Sequence, residues 1–429
     1  MKKTFLELTR KLLSAPKEAG VLTPIVSEMA AILSSVTQIS TEADMSNWQD
    51  VELASGVAIS PVQAAKCLKE SVRTQAFLNG VYKAISDKLE KHETVTVLYA
   101  GSGPYGTILI PLLPLFSARR VRVTIVDIHP ENIEAIQKVT DWIGVNDYID
   151  DYCILDACKW HPTGTTPSQF DMVLSETMNA FLKREPQVSI FAHLAQYLKP
   201  DGELIPQSIA VEAWLATSIS GSDSDTMQML TKTEKLTDLI TLDRELADKI
   251  RFSQLTVIES QFQIPDYARY CDSVQLRTRI TVYQEFDLGL RQSSLNAVMN
   301  IGQSAFQANS IVKCCYHISS EPDWEFDYKG HFDDLPLIEG NLEGNLGIKH
   351  LPRYWDKYRR LPYIQKLQLL EKEWEIEHKL LELLGVSHSE SVAFIQTSHP
   401  ELSEFEEWLR LQSNFPTREL INQFNEQIQ

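Results

Sequence analysis

The spacing of hydrophobic positions changes several times along the chain, and each change marks an element. Between residues 3 and 38 apolar side chains recur at helical spacing, first Phe5, Leu6, Leu8, Leu12 and Leu13, then Ile25, Met29, Ile32 and Leu33. Two helices are expected, separated at Pro16 and the Gly20–Pro24 region, forming an N-terminal helical layer. Residues 39–60 are polar with Gly and Ser, and predict a linker. Ser60 and Pro61 suit the N-cap and first turn of a helix that runs through Cys67-Leu-Lys-Glu-Ser-Val-Arg73-Thr toward Leu89.

From Val95 the period shortens. Val95–Tyr99 predicts a strand that ends in Gly101-Ser-Gly103-Pro-Tyr-Gly106, and the apolar segment from Thr107 predicts a helix. Val121–Val126 predicts a second strand ending in Asp127, and Pro130–Ile143 a helix. Strands near Tyr152–Leu155, Phe170–Leu174 and from Leu204 follow, with a helix carrying Ile190, Leu194, Tyr197 and Leu198 before the last of them. Strand and helix alternate throughout 94–206, which implies a parallel α/β sheet.

Beyond Pro206 the segments Ser208–Ala216, Gln254–Phe262, Val274–Gln284 and Ile311–Ile318 are rich in Val, Ile, Thr and Tyr and predict strands of a barrel or sandwich. Thr226–Arg251 reads as an amphipathic helical insert among them. After Pro352 a helix with Leu367, Leu370, Trp374, Leu380 and Leu384 is expected, capped by Gly385. The organisation expected is therefore 1–60 helical region and linker, 61–206 α/β domain, 207–350 β-rich domain with helical insert 226–251, and 351–429 helical extension.

Composition narrows the picture little. A chain of 429 residues needs two or three cores. A net charge of −18 disfavours binding along a nucleic-acid backbone, which requires clustered Lys and Arg. The six cysteines (67, 153, 158, 271, 314 and 315) show no paired CxxC spacing, so neither a disulfide framework nor a metal site is expected. Charges at Glu7, Arg10 and Lys11 interrupt any signal-peptide core, and no run reaches the ~18 apolar residues of a membrane span. A soluble cytoplasmic protein with no membrane and no nucleic-acid partner is expected.

The chemistry concentrates around 94–185. A glycine turn after the first strand, with an acid at the tip of the second, suits a nucleoside whose ribose hydroxyls donate to the carboxylate. By itself it serves a dinucleotide equally well. Gly101, Ser102, Gly103, Asp127 and Ile128 are the candidates for that half, with Asp156 and Ala157 after the third strand placed to meet a base, although Asp156 equally suits a plain turn aspartate. Arg73 offers a fork-shaped donor suited to a carboxylate, or is a solvated surface arginine. Glu176 and Glu185 follow the fourth strand. Two carboxylates turned to one cleft suit a cationic acceptor, although Glu185 equally suits a cap on the next helix.

Four stretches together resemble the methyl-donor domain of the protein arginine methyltransferases. They are Cys67-Leu-Lys-Glu-Ser-Val-Arg73-Thr, Val97-Leu-Tyr-Ala-Gly-Ser-Gly103 with Asp127, Ser175-Glu176 through Glu185, and Leu198-Lys-Pro-Asp-Gly-Glu-Leu-Ile-Pro206. The resemblance implies a Rossmann-like methyltransferase domain followed by a β-rich barrel, with the insert 226–251 placed as a dimerisation arm of a homodimer or else as a lid or packing helix. It implies S-adenosylmethionine as cofactor, with Arg73 on the donor carboxylate, Asp127 on the ribose and Asp156 near adenine. Glu176 and Glu185 would then bind and polarise a nitrogen of a guanidino or amine acceptor. Methylation of oxygen or carbon, or a donor-binding module without catalysis, are the alternatives. Tyr99 and Ala100 stand where the family usually has an acid, and the family's Thr-His-Trp loop has no match. The histidines nearby are His317, His331 and His350.

Overall fold

The computed structural model describes residues 1–41, 49–162, 169–220, 229–265, 273–303, 309–328, 355, 358, 381 and 384–412. Most of the helix expected after Pro352 lies outside the described residues, as do Cys271, His331 and His350.

Two helices open the chain, α1 (Lys2–Ser14) and α2 (Ala19–Thr37). The break falls at Ala15–Glu18 alone, and Gly20 and Pro24 lie inside α2. A proline within a helix costs roughly 3 kcal/mol. Burying each large apolar side chain stabilises by roughly 1.5–3 kcal/mol, and Leu22, Ile25, Val26, Met29 and Leu33 are all buried here. The packing therefore outweighs the proline.

Residues 39–60 are not merely a linker. Val51 and Leu53 flank the exposed Glu52, and β1 (Val51–Leu53) pairs antiparallel with β2 (Gly56–Ala58). The single helix expected from Pro61 is two, α3 (Pro61–Cys67) and α4 (Ser71–Lys91). The Thr74 hydroxyl donates to the Leu68 carbonyl at 2.9 Å and holds the turn between them. Ser60 caps α3 as expected, its side chain accepting from the Gln63 amide.

The α/β domain comprises β3 (Val95–Ala100), β4 (Val121–Asp127), α5 (Pro130–Ile143), β5 (Ile149–Ile154), β6 (Phe170–Ser175), α6 (Gln187–Leu194) and β7 (Leu198–Ile205). The strands form one parallel sheet in the order β5-β4-β3-β6-β7. This is the Rossmann-like architecture expected. The segment after Gly106 departs from expectation, because Pro111 and Pro114 confine it to 3₁₀ turns over Ile110–Leu115. Leu198 opens β7 rather than closing the preceding helix. Helix α2 is long and apolar enough, by length and composition, to cross a membrane. Its apolar face packs on α4 and α5 and joins the main core.

The β-rich part contains β8 (Ser208–Ser220), β9 (Met229–Leu242), α7 (Arg244–Ser253), β10 (Val257–Gln263), β11 (Ser273–Tyr283), β12 (Phe286–Leu288), β13 (Val298–Gln303), β14 (Ile311–His317) and β15 (Asp323–Tyr328). One antiparallel sheet runs β12-β11-β8-β9 with β13 also on β11, and a second runs β10-β14-β15. The helical insert expected at 226–251 is corrected here. Met229–Leu242 is a strand laddered to β8 from Ile209 to Ser220, and only Arg244–Ser253 is helical, capped by the Asp243 carboxylate. A helical period in the side chains yields to a partner strand that satisfies most of the backbone, along a ladder interrupted by two register shifts. The helical arm behind the dimer expectation is thus largely a strand.

Cys314 is buried on β14 while Cys315 is half-exposed, consistent with opposite faces of a strand. At the C-terminal end, α8 (His388–Ser398) and α9 (Leu402–Gln412) share a second core with Trp355, Tyr358, Leu381 and Leu384. Gly385 adopts φ +67°, and the Val386 amide reaches back to the Leu381 carbonyl at 3.0 Å. That is the helix cap expected of it.

Candidate active site

In the sheet β3 leads outward to β4 and its other neighbour β6 leads the opposite way to β7, so the connections leaving the carboxyl ends of β3 and β6 part and open a crevice between them. A cavity of about 260 Å³ occupies it. Arg73, Gly101, Ser102, Gly103, Asp127, Ile128, Asp156, Ala157, Glu176 and Glu185 all line this one cavity, although they come from five separate stretches of chain.

The glycine turn builds one wall. Gly101 sits at φ +69°, and a Cβ there would stand 2.1 Å from the Thr177 Cγ2. Only glycine lets β3 end this close to the loop that carries Glu176. The turn in turn fixes Asp127. Its carboxylate accepts from the Gly103 amide at 2.9 Å, the Ser102 hydroxyl at 3.4 Å, and the His129 amide and Asn132 Nδ2 both at 3.0 Å. Asp156 accepts from the Cys158 amide at 2.9 Å and pairs with Lys159 at 3.5 Å. Tyr99 is fully enclosed, its hydroxyl donating to the Ser102 carbonyl at 3.2 Å, and burial pushes its phenol far above the usual range.

The loop between β6 and α6 carries both glutamates, and its path is unusual. Phe181, Leu182 and Arg184 all adopt positive φ, at 62°, 58° and 67°. Each such residue costs roughly 1–2 kcal/mol, so the loop needs external support. Gln187, fully buried, accepts from the Thr177 amide at 2.8 Å and donates to the Ser175 carbonyl at 3.3 Å, closing the loop at its base. The β-rich sheets hold the other end. Thr278 accepts from the Phe181 amide at 2.9 Å, the Trp324 indole donates to the Phe181 carbonyl at 2.8 Å, and the Tyr316 hydroxyl donates to the Leu182 carbonyl at 2.6 Å.

Arg73 occupies the first turn of α4 and donates to Glu176 and, at 3.1 Å, to Glu70. Burial opposes its charge, but Glu176, Cys67 and Glu70 hold the guanidinium well above its ordinary pKa. Burial pushes Glu176 up against the pull of Arg73. Burial, then the charge of Glu176, pushes Glu185 up to about 8. The second oxygen of Glu176 is buried without a partner among the described residues. The arrangement offers a fixed cation beside a carboxylate, and a second carboxyl group that holds or releases a proton near neutral pH.

Several contributors were not legible beforehand. Glu70 lies one helical turn before Arg73, a spacing that signals an ion pair. Gln187, Thr278, Tyr316 and Trp324 carry no motif and join the site only through the fold. His317 lies on β14 and pairs with Glu325 at 3.2 Å, and it is not among the cavity-lining residues.

No protein-family model matches this chain, and no curated protein does. Among solved structures, the chain is similar to the Trypanosoma brucei PRMT1 enzyme-prozyme heterotetrameric complex with AdoHcy, over 62% of this chain and 92% of that one, at 12% identity and a TM-score of 0.40.

Proposed function

We propose that the protein is an S-adenosylmethionine-dependent methyltransferase that acts on a nitrogen of a guanidino or amine acceptor. The observation that carries this reading is the convergence of the glycine turn, Asp127, Asp156, Arg73, Glu176 and Glu185 on one cavity. The sequence motifs assign complementary roles to these groups, and the fold brings them into one place. The residues fit the donor: the turn approaches the crevice with no side chain at Gly101, and Arg73 supplies a buried cation where a carboxylate needs one. When bound, the donor supplies an electrophilic methyl group.

In this reading the chain's residues do the positioning. Asp127, oriented by four donors, presents its carboxylate to the ribose, and Asp156 and Ala157 border the base. Arg73 orients the donor carboxylate while holding Glu176 in place. Glu176 and Glu185 bind the acceptor cation and withdraw its delocalised charge, leaving one nitrogen more nucleophilic. Glu185 holds a proton up to about pH 8 before the acceptor binds, gives it up to solvent as the acceptor cation arrives, and as a carboxylate then takes up the proton released after transfer. Rate enhancement comes from orientation and from charges fixed in a buried site.

The test is calorimetric titration with S-adenosylmethionine, followed by mass spectrometry of guanidino and amine acceptors incubated with labelled donor. Binding and labelling of a nitrogen acceptor are expected. Absence of binding, or binding unchanged by Arg73→Ala, would sink the proposal.

A further inference from the structure

We infer that the β1–β2 hairpin is the positioning element for Glu185, acting through the backbone of Arg184. This inference rests on the role proposed above for Glu185. The hairpin lies in a segment whose composition reads as a linker, yet Leu53, Val57, Ala58 and Ile59 line the cavity.

Two contacts from the hairpin, and one from Asp50 just before it, meet the chain at Arg184–Pro186. The Val57 amide donates to the Arg184 carbonyl at 2.8 Å. Gly56, at φ +139°, presses so close that a Cβ would stand 2.8 Å from the Arg184 oxygen, 2.9 Å from the Pro186 nitrogen and 3.0 Å from the Glu185 carbonyl carbon. The Arg184 guanidinium pairs with Asp50 at 2.6 Å. From the opposite side, the Arg184 amide donates to the Pro322 carbonyl at 2.8 Å. Arg184 is therefore gripped between the N-terminal hairpin and the β-rich sheets, in a left-handed conformation that it would not keep unaided.

The contacts are not equal. The Arg184 side chain is half-exposed, and such ion pairs contribute little. The backbone bond and the glycine contact are specific to one geometry, because φ near +139° is a region only glycine adopts readily. The hairpin also reaches the donor side. Asp50 accepts from the Ser60 amide at 2.9 Å and the Gln63 side chain at 3.4 Å, anchoring the start of α3, and Gln63, Ala64 and Cys67 of α3 line the same cavity. One hairpin thus sets the distance between the donor wall and Glu185. A misplacement of about 1 Å in such a group costs on the order of 100-fold in rate.

Amide hydrogen exchange on the full-length chain reads this clamp without an acceptor. Gly56→Ala is expected to speed exchange at Val57, Arg184 and Glu185 at least ~10-fold, with the amides of β3 and β4 unchanged, whereas Arg184→Ala stays within ~3-fold because the ion pair is minor. Val57→Pro, which removes the donating amide and fixes φ at that position, is expected to reproduce the faster exchange at Arg184 and Glu185. With S-adenosylhomocysteine present, calorimetric affinity for N-acetylarginine amide is expected to fall about 10-fold in Gly56→Ala, while affinity for S-adenosylmethionine stays within ~2-fold.

Unchanged exchange at Arg184 and Glu185 in both hairpin variants overturns the inference, and so does loss of protection throughout the parallel sheet in both. If Glu185→Gln abolishes probe binding and Gly56→Ala leaves it intact, the hairpin role fails and the proposed function stands. If wild type and Glu185→Gln bind the probe equally, the proposed role of Glu185 fails, and the exchange pattern alone decides the clamp.

Discussion

The Tyr316 hydroxyl donates to the Leu182 carbonyl at 2.6 Å, across 134 residues of sequence. The bond ties β14, in the β-rich half, to the loop that carries Glu176 and Glu185. Trp324 makes a parallel bond to Phe181 at 2.8 Å, and its ring packs against Tyr316 with centroids 5.2 Å apart. The β-rich half therefore holds the loop in a path that its own sequence disfavours.

Tyr316→Phe keeps the ring packing and removes one donor. It leaves the buried Leu182 carbonyl unpaired, at a cost of about 1–3 kcal/mol. A fall in the urea midpoint with unchanged slope is expected, together with a lower turnover and an unchanged affinity for S-adenosylmethionine. A loss of donor affinity matching the loss of turnover would show that the loop is not the part affected.

Arg73→Ala has a double consequence. It removes the cation proposed for the donor carboxylate, and it leaves Glu176 buried without its partner. Breaking one side of a buried ion pair destabilises by roughly 3–5 kcal/mol, so a lower melting temperature should accompany the loss of donor binding. Arg73→Ala with Glu176→Gln should recover much of the stability and none of the binding. Recovery of both would remove Arg73 from the donor site.

The pH dependence of stability isolates Glu185. Its folded-state pKa of about 8 is raised above the ordinary carboxylate value of 4.5. The folded state therefore binds the proton more tightly than the unfolded chain does. The contribution is fully present below about pH 4.5 and is lost as pH rises through about 8, with a slope on the order of 1.4 kcal/mol per pH unit in between. Melting curves between pH 5 and 8 should fall less steeply for Glu185→Gln than for the wild type. Identical slopes would mean that Glu185 is not buried as described.

Gly101→Ala should abolish binding of S-adenosylmethionine, because the new methyl group would stand 2.1 Å from Thr177 Cγ2. Pairing it with Thr177→Ser removes that carbon and keeps the hydroxyl. Partial recovery by calorimetry is expected, since the φ of +69° still disfavours alanine by about 1 kcal/mol. No recovery at all would place the damage in the turn's conformation rather than in the clash.

The sequence by itself determined the parallel sheet and the candidate residues on it. Strand period, glycine turn and acidic tip are local signals, and local geometry fixes where a side chain at a strand's carboxyl end must lie. The Gly385 cap and the Ser60 N-cap were legible for the same reason. Only the tertiary structure decided the rest. Met229–Leu242 mixes helix formers (Lys, Glu, Leu) with four strand-favouring threonines, and becomes a strand because β8 supplies its backbone partners. The strands within residues 51–58 are three residues each, too short to show an alternating pattern, and their role depends on contacts with Arg184 far along the chain. Likewise Arg73 could be read as surface or site until α4 packed it beside Glu176. Side-chain period reports which face of an element is apolar. It carries no record of which distant backbone will satisfy its hydrogen bonds, or which distant charge it will meet in a buried site.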